Sequence, residues 1–157
     1  MDLDLRPLAA VLVSLLAAVL LPLVDRRPTV RETITITAAD LKLALVSSML
    51  PAVLTGQGVE GVSLALGMGL SLQFRVDALG LIFALTASSL WLLTSIYSIG
   101  YLRATASTHQ TSYYSAFAVC LSATVGIAFS ANLLTFFVCY EVLTLATYPL
   151  VVHDRTP

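Results

Sequence analysis

Glu141 is an acidic residue inside a long apolar segment, and its position calls for a chemical role. The segment covers residues 133–152, and Glu141 lies close to its midpoint. An ionisable side chain at the centre of a membrane-spanning helix costs about 2.5 to 3.5 kcal/mol on insertion scales. Acids in such positions are typical of proton and ion pathways.

Two hydroxyl groups follow Glu141 at helical spacing. Thr144 and Tyr148 come three and seven residues later, on the helix face that carries Glu141. A carboxylate in line with two hydroxyls predicts a proton or cation path. The alternatives are that Glu141 is a protonated acid that bonds neighbouring helices, that Thr144 bonds its own backbone, and that Tyr148 belongs to an interfacial aromatic belt.

The composition is that of a membrane protein. Of the 157 residues, 58% are hydrophobic and 11% are charged, with a mean hydropathy of +0.92, whereas soluble domains contain about 25% charged residues. The net charge of -1 and the lack of a basic block argue against nucleic acid as a partner. Cys120 and Cys139 lie in apolar runs without metal-ligand spacing, which predicts small buried side chains.

The apolar segments predict an all-α membrane protein with a single transmembrane domain over residues 1–157. A span needs about 20 mostly apolar residues. Five segments meet this requirement, at residues 8–24, 37–55, 76–99, 113–130 and 133–152. The second is short and contains Pro51, so it has to include residues 37–39 or tilt little in order to cross. Asn132, between the last two spans, is placed to cap the helix that follows.

Residues 62–74 follow a different pattern, in which apolar residues alternate with small or polar ones. A period of two predicts a short β-like segment with one buried face. A single strand cannot cross a bilayer, so we expect this segment outside the membrane, on the helices or paired with another segment. The alternative is a loop with chance alternation, because Gly67 and Gly69 weaken a strand.

The basic residues predict the orientation of the spans, because short loops rich in Lys and Arg stay in the cytoplasm. With the N-terminus outside, six basic residues lie inside and two lie outside. The inner set is Arg26, Arg27, Arg31, Lys42, Arg103 and Arg155, and the outer set is Arg6 and Arg75. The prediction is a multi-pass protein of the cell inner (plasma) membrane with its C-terminus in the cytoplasm.

Two long stretches of the sequence resemble a known family. They are FRVDALGLIFALTASSLWLLTSIYSIGYLR and YYSAFAVCLSATVGIAFSANLLTFFVCYEVLTLATYPLVVH, within residues 72–157. Both are similar to the N-terminal part of antiporter-like membrane subunits, which include the D-type component of Mrp sodium/proton antiporters and the proton-pumping subunits of complex I. The segment around Glu141 resembles the Mrp form more closely, because Tyr140 stands where complex I subunits commonly have tryptophan.

The resemblance implies a role for Glu141. In that family the glutamate of the fifth helix pairs with a lysine on the seventh and gates proton movement, and Glu141 matches its motif position. Full members have many more helices, and this sequence ends in the loop that would lead to the sixth. We therefore expect the lysine and the later helices to come from another chain, so that this polypeptide alone cannot form a complete ion path.

Three hypotheses follow. The chain is a membrane subunit fragment of a monovalent cation/proton antiporter complex, with Glu141, Thr144 and Tyr148 as its ion-translocation residues. Alternatively, it is a membrane-arm subunit of a complex I-like, hydrogenase-like or inorganic-carbon-uptake assembly, or a scaffold that transports nothing. The expected partners are other membrane subunits, protons, monovalent cations and the lipid bilayer. No nucleophile-base arrangement or cofactor motif is present in the sequence, so we expect an ion-transport subunit with no enzyme activity, cofactor or metal of its own.

Overall fold

A computed structural model of the chain describes residues 4–25, 27–56, 58–67, 69–104 and 110–151. These ranges contain six α-helices, a short 3-10 helix and a two-stranded sheet. The elements are α1 (Arg6–Leu20), the 3-10 helix (Leu21–Val24), α2 (Pro28–Ser47), α3 (Leu50–Leu54), β1 (Val59–Gly67), β2 (Leu70–Val76), α4 (Ala78–Ala104), α5 (Gln110–Ala128) and α6 (Leu133–Val151).

The predicted membrane architecture, all-α with a short β segment, is confirmed. Among the described residues, four helical segments are long and apolar enough to cross a membrane, and a shorter apolar helix follows them. The four are Arg6–Val24, Pro28–Leu54, Ala78–Tyr101 and Gln110–Ala128, and the shorter one is Leu133–Tyr148 within α6.

The second spanning segment begins at Pro28, about nine residues before the predicted start. Hydropathy excludes the stretch before Thr37 because Arg31 and Glu32 are charged, and it places Lys42 near the beginning of the predicted span. The structure instead places all three inside α2 with buried side chains. The prediction that Arg31 lies in an inner loop is therefore wrong.

Pro51 explains why this segment is divided into α2 and α3. A proline has no backbone N–H, so Pro51 cannot donate to the carbonyl four residues earlier, at Ser47. Helix α2 ends at Ser47, and Pro51 occupies the first turn of α3, where no donor is required.

The β segment is a hairpin and not the single strand that the alternation predicted. Gly67 and Gly69 have φ angles of 88° and 77°, and their left-handed conformation reverses the chain. The strands pair antiparallel, with Val59 opposite Val76 and Leu64 opposite Leu72. Phe74 and Val76 at the base are buried, whereas Leu66 near the tip is 59% exposed. The alternating face therefore meets the helices only at the base of the hairpin.

The hairpin is bonded to the reversal between α5 and α6. The Arg75 N–H donates to the Phe129 carbonyl at 2.8 Å, and the Ala131 N–H donates to the Gln73 carbonyl at 2.9 Å. Asn132 caps α6 as predicted, because its Oδ1 accepts the Thr135 N–H at 2.8 Å. Its amide also donates to the Ser71 carbonyl at 2.7 Å. One asparagine thus fixes both the start of α6 and its position beside the sheet.

Helices α1, α2, α4 and α5 pack around a common interior, and α6 packs along α5 and against the base of the hairpin. The centre of the interior is lined by small side chains and one large ring, namely Ala17, Ala18, Ala38, Ala39, Ala118 and Trp91. A larger apolar cluster, which includes Val46, Met49, Leu81 and Phe129, closes the interior at the end that carries the hairpin.

Gly80 allows the start of α4 to lie directly against the end of α5. A Cβ atom at Gly80 would lie 2.3 Å from the Ala128 carbonyl oxygen and 3.1 Å from Asp77 Oδ1. The Asp77 carboxylate also caps α4 by accepting the Gly80 N–H at 2.7 Å. The contact with Ala128 is with backbone, so a side chain here cannot be accommodated by a rotamer change.

We expect Gly80→Ala to destabilise the protein by about 1 to 3 kcal/mol, the usual cost of overpacking. Gly100→Ala is the matched control in the same helix, because no atom lies within 4 Å of a Cβ built at Gly100. That substitution should be neutral or stabilising by up to about 1 kcal/mol. Thermal unfolding of both variants in detergent micelles tests the difference, and equal unfolding midpoints would contradict the close approach.

Candidate functional site

Glu141 lies on the outer side of α6, away from the helix bundle. Its side chain is exposed, and no hydrogen bond or ion pair joins it to another described residue. Gly126 on α5 shows which side of α6 is packed, because a Cβ there would lie 2.7 Å from the Cys139 sulfur. The packed side of α6 therefore carries Cys139, and the carboxylate of Glu141 faces the surroundings of the chain.

Thr144 and Tyr148 are exposed on α6 as well. The Thr144 hydroxyl donates to the Tyr140 carbonyl of its own helix at 3.0 Å, as the alternative interpretation of this residue anticipated. The Tyr148 side chain is 65% exposed. Helical spacing places both hydroxyls in line with Glu141. No bond joins the three side chains within the described part of the chain, so what they share is an open face of one helix.

This face of α6 is otherwise apolar and aromatic. Its exposed large side chains include Leu133, Phe136, Phe137, Tyr140, Leu145 and Tyr148. In a membrane, such side chains are stable in contact with lipid or with another helix. A carboxylate among them needs a polar partner. The described part of the chain supplies no such partner for Glu141.

A second ionisable residue, Lys42, is fully buried near the midpoint of Pro28–Leu54. Its ammonium group donates to the Ser14 hydroxyl at 2.9 Å and to the Leu121 carbonyl at 2.7 Å. The nitrogen also lies 5.4 Å from the centre of the Trp91 ring, within cation-π range. Lys42 thus contacts α1, α4 and α5 at once, and no ion pair joins it to a described carboxylate.

Arg31 forms a further polar contact, at the end of the bundle opposite the hairpin. Its guanidinium donates to the Thr111 hydroxyl at 3.0 Å and to the Gln110 side-chain carbonyl, and it lies 5.4 Å from the centre of the Tyr114 ring. These bonds fasten the start of α2 to the start of α5. They also explain how a spanning helix can contain an arginine.

Hydropathy alone gives no indication that the side chains of Lys42 and Arg31 are buried, because it counts charge against burial. Their spacing places them on one face of a helix, and the structure shows that this face is buried. The buried positions of α2 include Arg31, Thr35, Ala38, Lys42 and Val46, which repeat at three- and four-residue intervals. Arg31 and Lys42 therefore share the face that carries the buried alanines, whereas Asp40 lies on the exposed side.

The fold has a counterpart among solved structures. No protein-family model matches the sequence, and no curated protein matches it. A chain in the structure of the membrane-bound sulfane sulfur reductase, an archaeal respiratory membrane complex, superposes with a TM-score of 0.78 at 20% sequence identity. The match covers 94% of this chain and 23% of that one. The chain thus has the fold of part of a membrane-complex subunit and spans about a quarter of that subunit's length.

Proposed function

We propose that this chain is part of an antiporter-like membrane subunit and that Glu141 takes part in the movement of protons or monovalent cations. The chain acts within a multi-subunit membrane complex, as an ion-transport component and not as an enzyme. The observation that carries the proposal is the placement of Glu141, an acid without a partner among the described residues, on an open face of α6. The resemblance of the residues around Glu141 to antiporter-like subunits supports it.

The open face of α6 defines the partner that Glu141 requires. A helix that packs on this face has to offer a cation or a hydrogen-bond donor at the depth of Glu141, because a buried unpaired carboxylate is costly. A lysine within about 4 to 6 Å would favour the ionised form, and its withdrawal would favour the protonated form. Alternation between these states moves one proton. The helix can belong to the same polypeptide or to another subunit, and Thr144 and Tyr148 extend the path.

A redox-driven complex is the second candidate. The fold is shared with a subunit of an archaeal respiratory membrane complex, and that likeness favours a membrane-arm role in a complex I-like assembly. In such an assembly the same glutamate would respond to electron transfer elsewhere and not to a cation gradient. The two candidates differ in whether proton movement depends on an external cation or on an electron donor.

We expect Glu141→Gln, in the assembled complex, to reduce proton movement at least about ten-fold, because the amide keeps the shape of the side chain but cannot carry a proton. Glu141→Asp should retain part of the activity. The measurement is the collapse of a pH gradient in membrane vesicles after addition of sodium, potassium or the electron donor, with assembly checked on the same membranes.

Glu60→Gln is the matched control for this substitution. Glu60 is an exposed acid on β1, 3.4 Å from the Arg75 guanidinium, and an exposed ion pair of this kind contributes little to stability. Its replacement should leave proton movement at the wild-type rate. Wild-type rates in an assembled Glu141→Gln complex would reject the proposed role and leave Glu141 as a contact between helices.

We propose the orientation with the N-terminus outside, and the distribution of basic residues still favours it when Arg31 and Lys42 are left out of the count. Four basic residues remain in the predicted inner set, against Arg6 and Arg75 outside. They are Arg27, Arg103, Arg26 and Arg155, of which the last two lie outside the described residues. A reporter fused after Pro157 should be active only in its cytoplasmic form. Activity of a periplasmic reporter at the same position would contradict this orientation.

A further inference from the structure

The interior of the bundle contains buried polar groups that have no partner among the described residues. The hydroxyls of Ser88 and Ser95 and the indole N–H of Trp91 are all buried, and none bonds to another described residue. The three side chains share one face of α4, because they are spaced three and four residues apart. Such groups are rare in folded proteins and commonly mark sites where internal water supplies the missing bond.

Other hydroxyls of α4 show that the lack of partners is not a general property of this helix. Thr86 donates to the Ile82 carbonyl at 2.9 Å, and Ser89 donates to the Leu85 carbonyl at 2.8 Å. A hydroxyl in this helix can therefore donate a hydrogen bond to a backbone carbonyl of the same helix. Ser88 and Ser95 do not, and both face the side on which Trp91 meets Lys42.

The row of buried polar groups at Ser88, Trp91 and Ser95 continues towards the end of α4, and apolar side chains close it towards the start of α4. Beyond Ser95, the buried Ser98 hydroxyl lies 3.3 Å from the Tyr113 hydroxyl, near the start of α5. Beyond Ser88, the same face of α4 carries Ala84 and Leu81, which belong to the apolar cluster below the hairpin. An apolar cluster of this kind holds no water. Ser88 to Ser98 covers about 15 Å along the helix, half the thickness of a bilayer core.

The hydrogen bonds of Lys42 fit both of its protonation states. An ammonium has three N–H donors, and two of them are used by Ser14 and by the Leu121 carbonyl. Loss of the third proton leaves a neutral amine that keeps both bonds and gains a lone pair. Ser14 remains an acceptor because its own hydroxyl donates to the Val11 carbonyl at 3.2 Å. The proton can therefore leave without any rearrangement of the helices.

The groups that face Lys42 include no carboxylate among the described residues. These groups are the Ser14 hydroxyl on α1, the Trp91 ring on α4 and the Leu121 carbonyl on α5. The buried thiol of Cys120 is one residue from Leu121. On α2 itself, Arg31 and Glu32 lie about 15 Å further along. None of the groups that face Lys42 is a base that could accept its proton.

We propose that Lys42 is a proton-binding site inside the bundle, connected by internal waters at Trp91, Ser95 and Ser98 to the end of the bundle at Tyr113, and closed towards the hairpin. The protonated amine gives its third proton to the adjacent water and takes one back by the same route. This site is separate from Glu141 and does not depend on the proposed role of that residue.

Trp91 makes the proposal measurable, because it is the single tryptophan of the chain and lies beside the Lys42 nitrogen. The full chain in lipid nanodiscs is titrated from about pH 5 to about pH 11, a range that covers lysines in water and in protein interiors. Loss of the cation next to the indole should change the Trp91 emission in a one-proton transition. Deuterated water should raise the emission, because waters bonded to the indole N–H quench less when deuterated.

Two substitutions at Lys42 identify the titrating group. Lys42→Arg keeps the charge at every pH of the range and should hold Trp91 at the emission of the acid form. Lys42→Met should abolish the transition. If the methionine variant loses its helical circular dichroism, the arginine variant carries the test. Asp40→Asn is the matched control, because Asp40 is two residues away on the exposed side of α2, and the transition should be unchanged.

Ser95→Ala tests whether water is bound between Trp91 and Ser95. The variant should keep the pH transition of Trp91 and lose part of the isotope effect, because one of the groups that hold the water is gone. A flat titration of the wild-type chain, or a transition that survives in Lys42→Arg, would overturn the proposal and leave Lys42 as a structural donor. Equal emission in ordinary and deuterated water would show a dry interior and overturn the proposed route. None of these measurements requires ion transport, so they are independent of the Glu141 experiment.

Discussion

The bonds from Lys42 to Ser14 and to the Leu121 carbonyl hold three helices together at the centre of the bundle. An amine in an apolar interior requires hydrogen-bond partners, so α1 and α5 must present theirs at the depth of Lys42. The small residues around it, such as Ala17, Ala39 and Ala118, let the helices approach closely enough for those bonds. Lys42 therefore helps to set the register of these helices, and Arg31 holds the start of α2 in the same way.

The rest of the molecule is arranged around this bundle by contacts at its ends. The hairpin is fastened through Gln73 and Arg75 to the reversal between α5 and α6, and Asn132 begins α6 at that point. On the same side, Arg6 donates to the Ser48 carbonyl at 2.7 Å, which joins the start of α1 to the end of α2. Arg6 also bonds Asp4, and this bond holds the pKa of the Asp4 carboxyl below its ordinary value. The hairpin end is thus closed by bonds between elements.

Lys42 and Glu141, two ionisable residues in apolar helices, have opposite surroundings. Lys42 is enclosed and bonded by the chain's own helices, whereas Glu141 is exposed on a helix that packs mainly against α5. Lys42 finds its partners within the described part of the chain, and Glu141 has none there. The chain, which spans about a quarter of its structural neighbour, thus encloses one ionisable side chain in its interior and presents another on its surface.

The sequence alone determined the membrane class, the helical segments, the cap at Asn132 and the isolation of Glu141. Hydropathy, capping chemistry and the cost of an intramembrane charge are local properties that can be predicted residue by residue. Tertiary structure decided the start of α2, the division of residues 59–76 into a hairpin, and the burial of Lys42. A charged residue is tolerated inside a span only when distant residues supply its partners, and the partners of Lys42 lie 28 and 79 positions away along the chain. No local pattern contains that information.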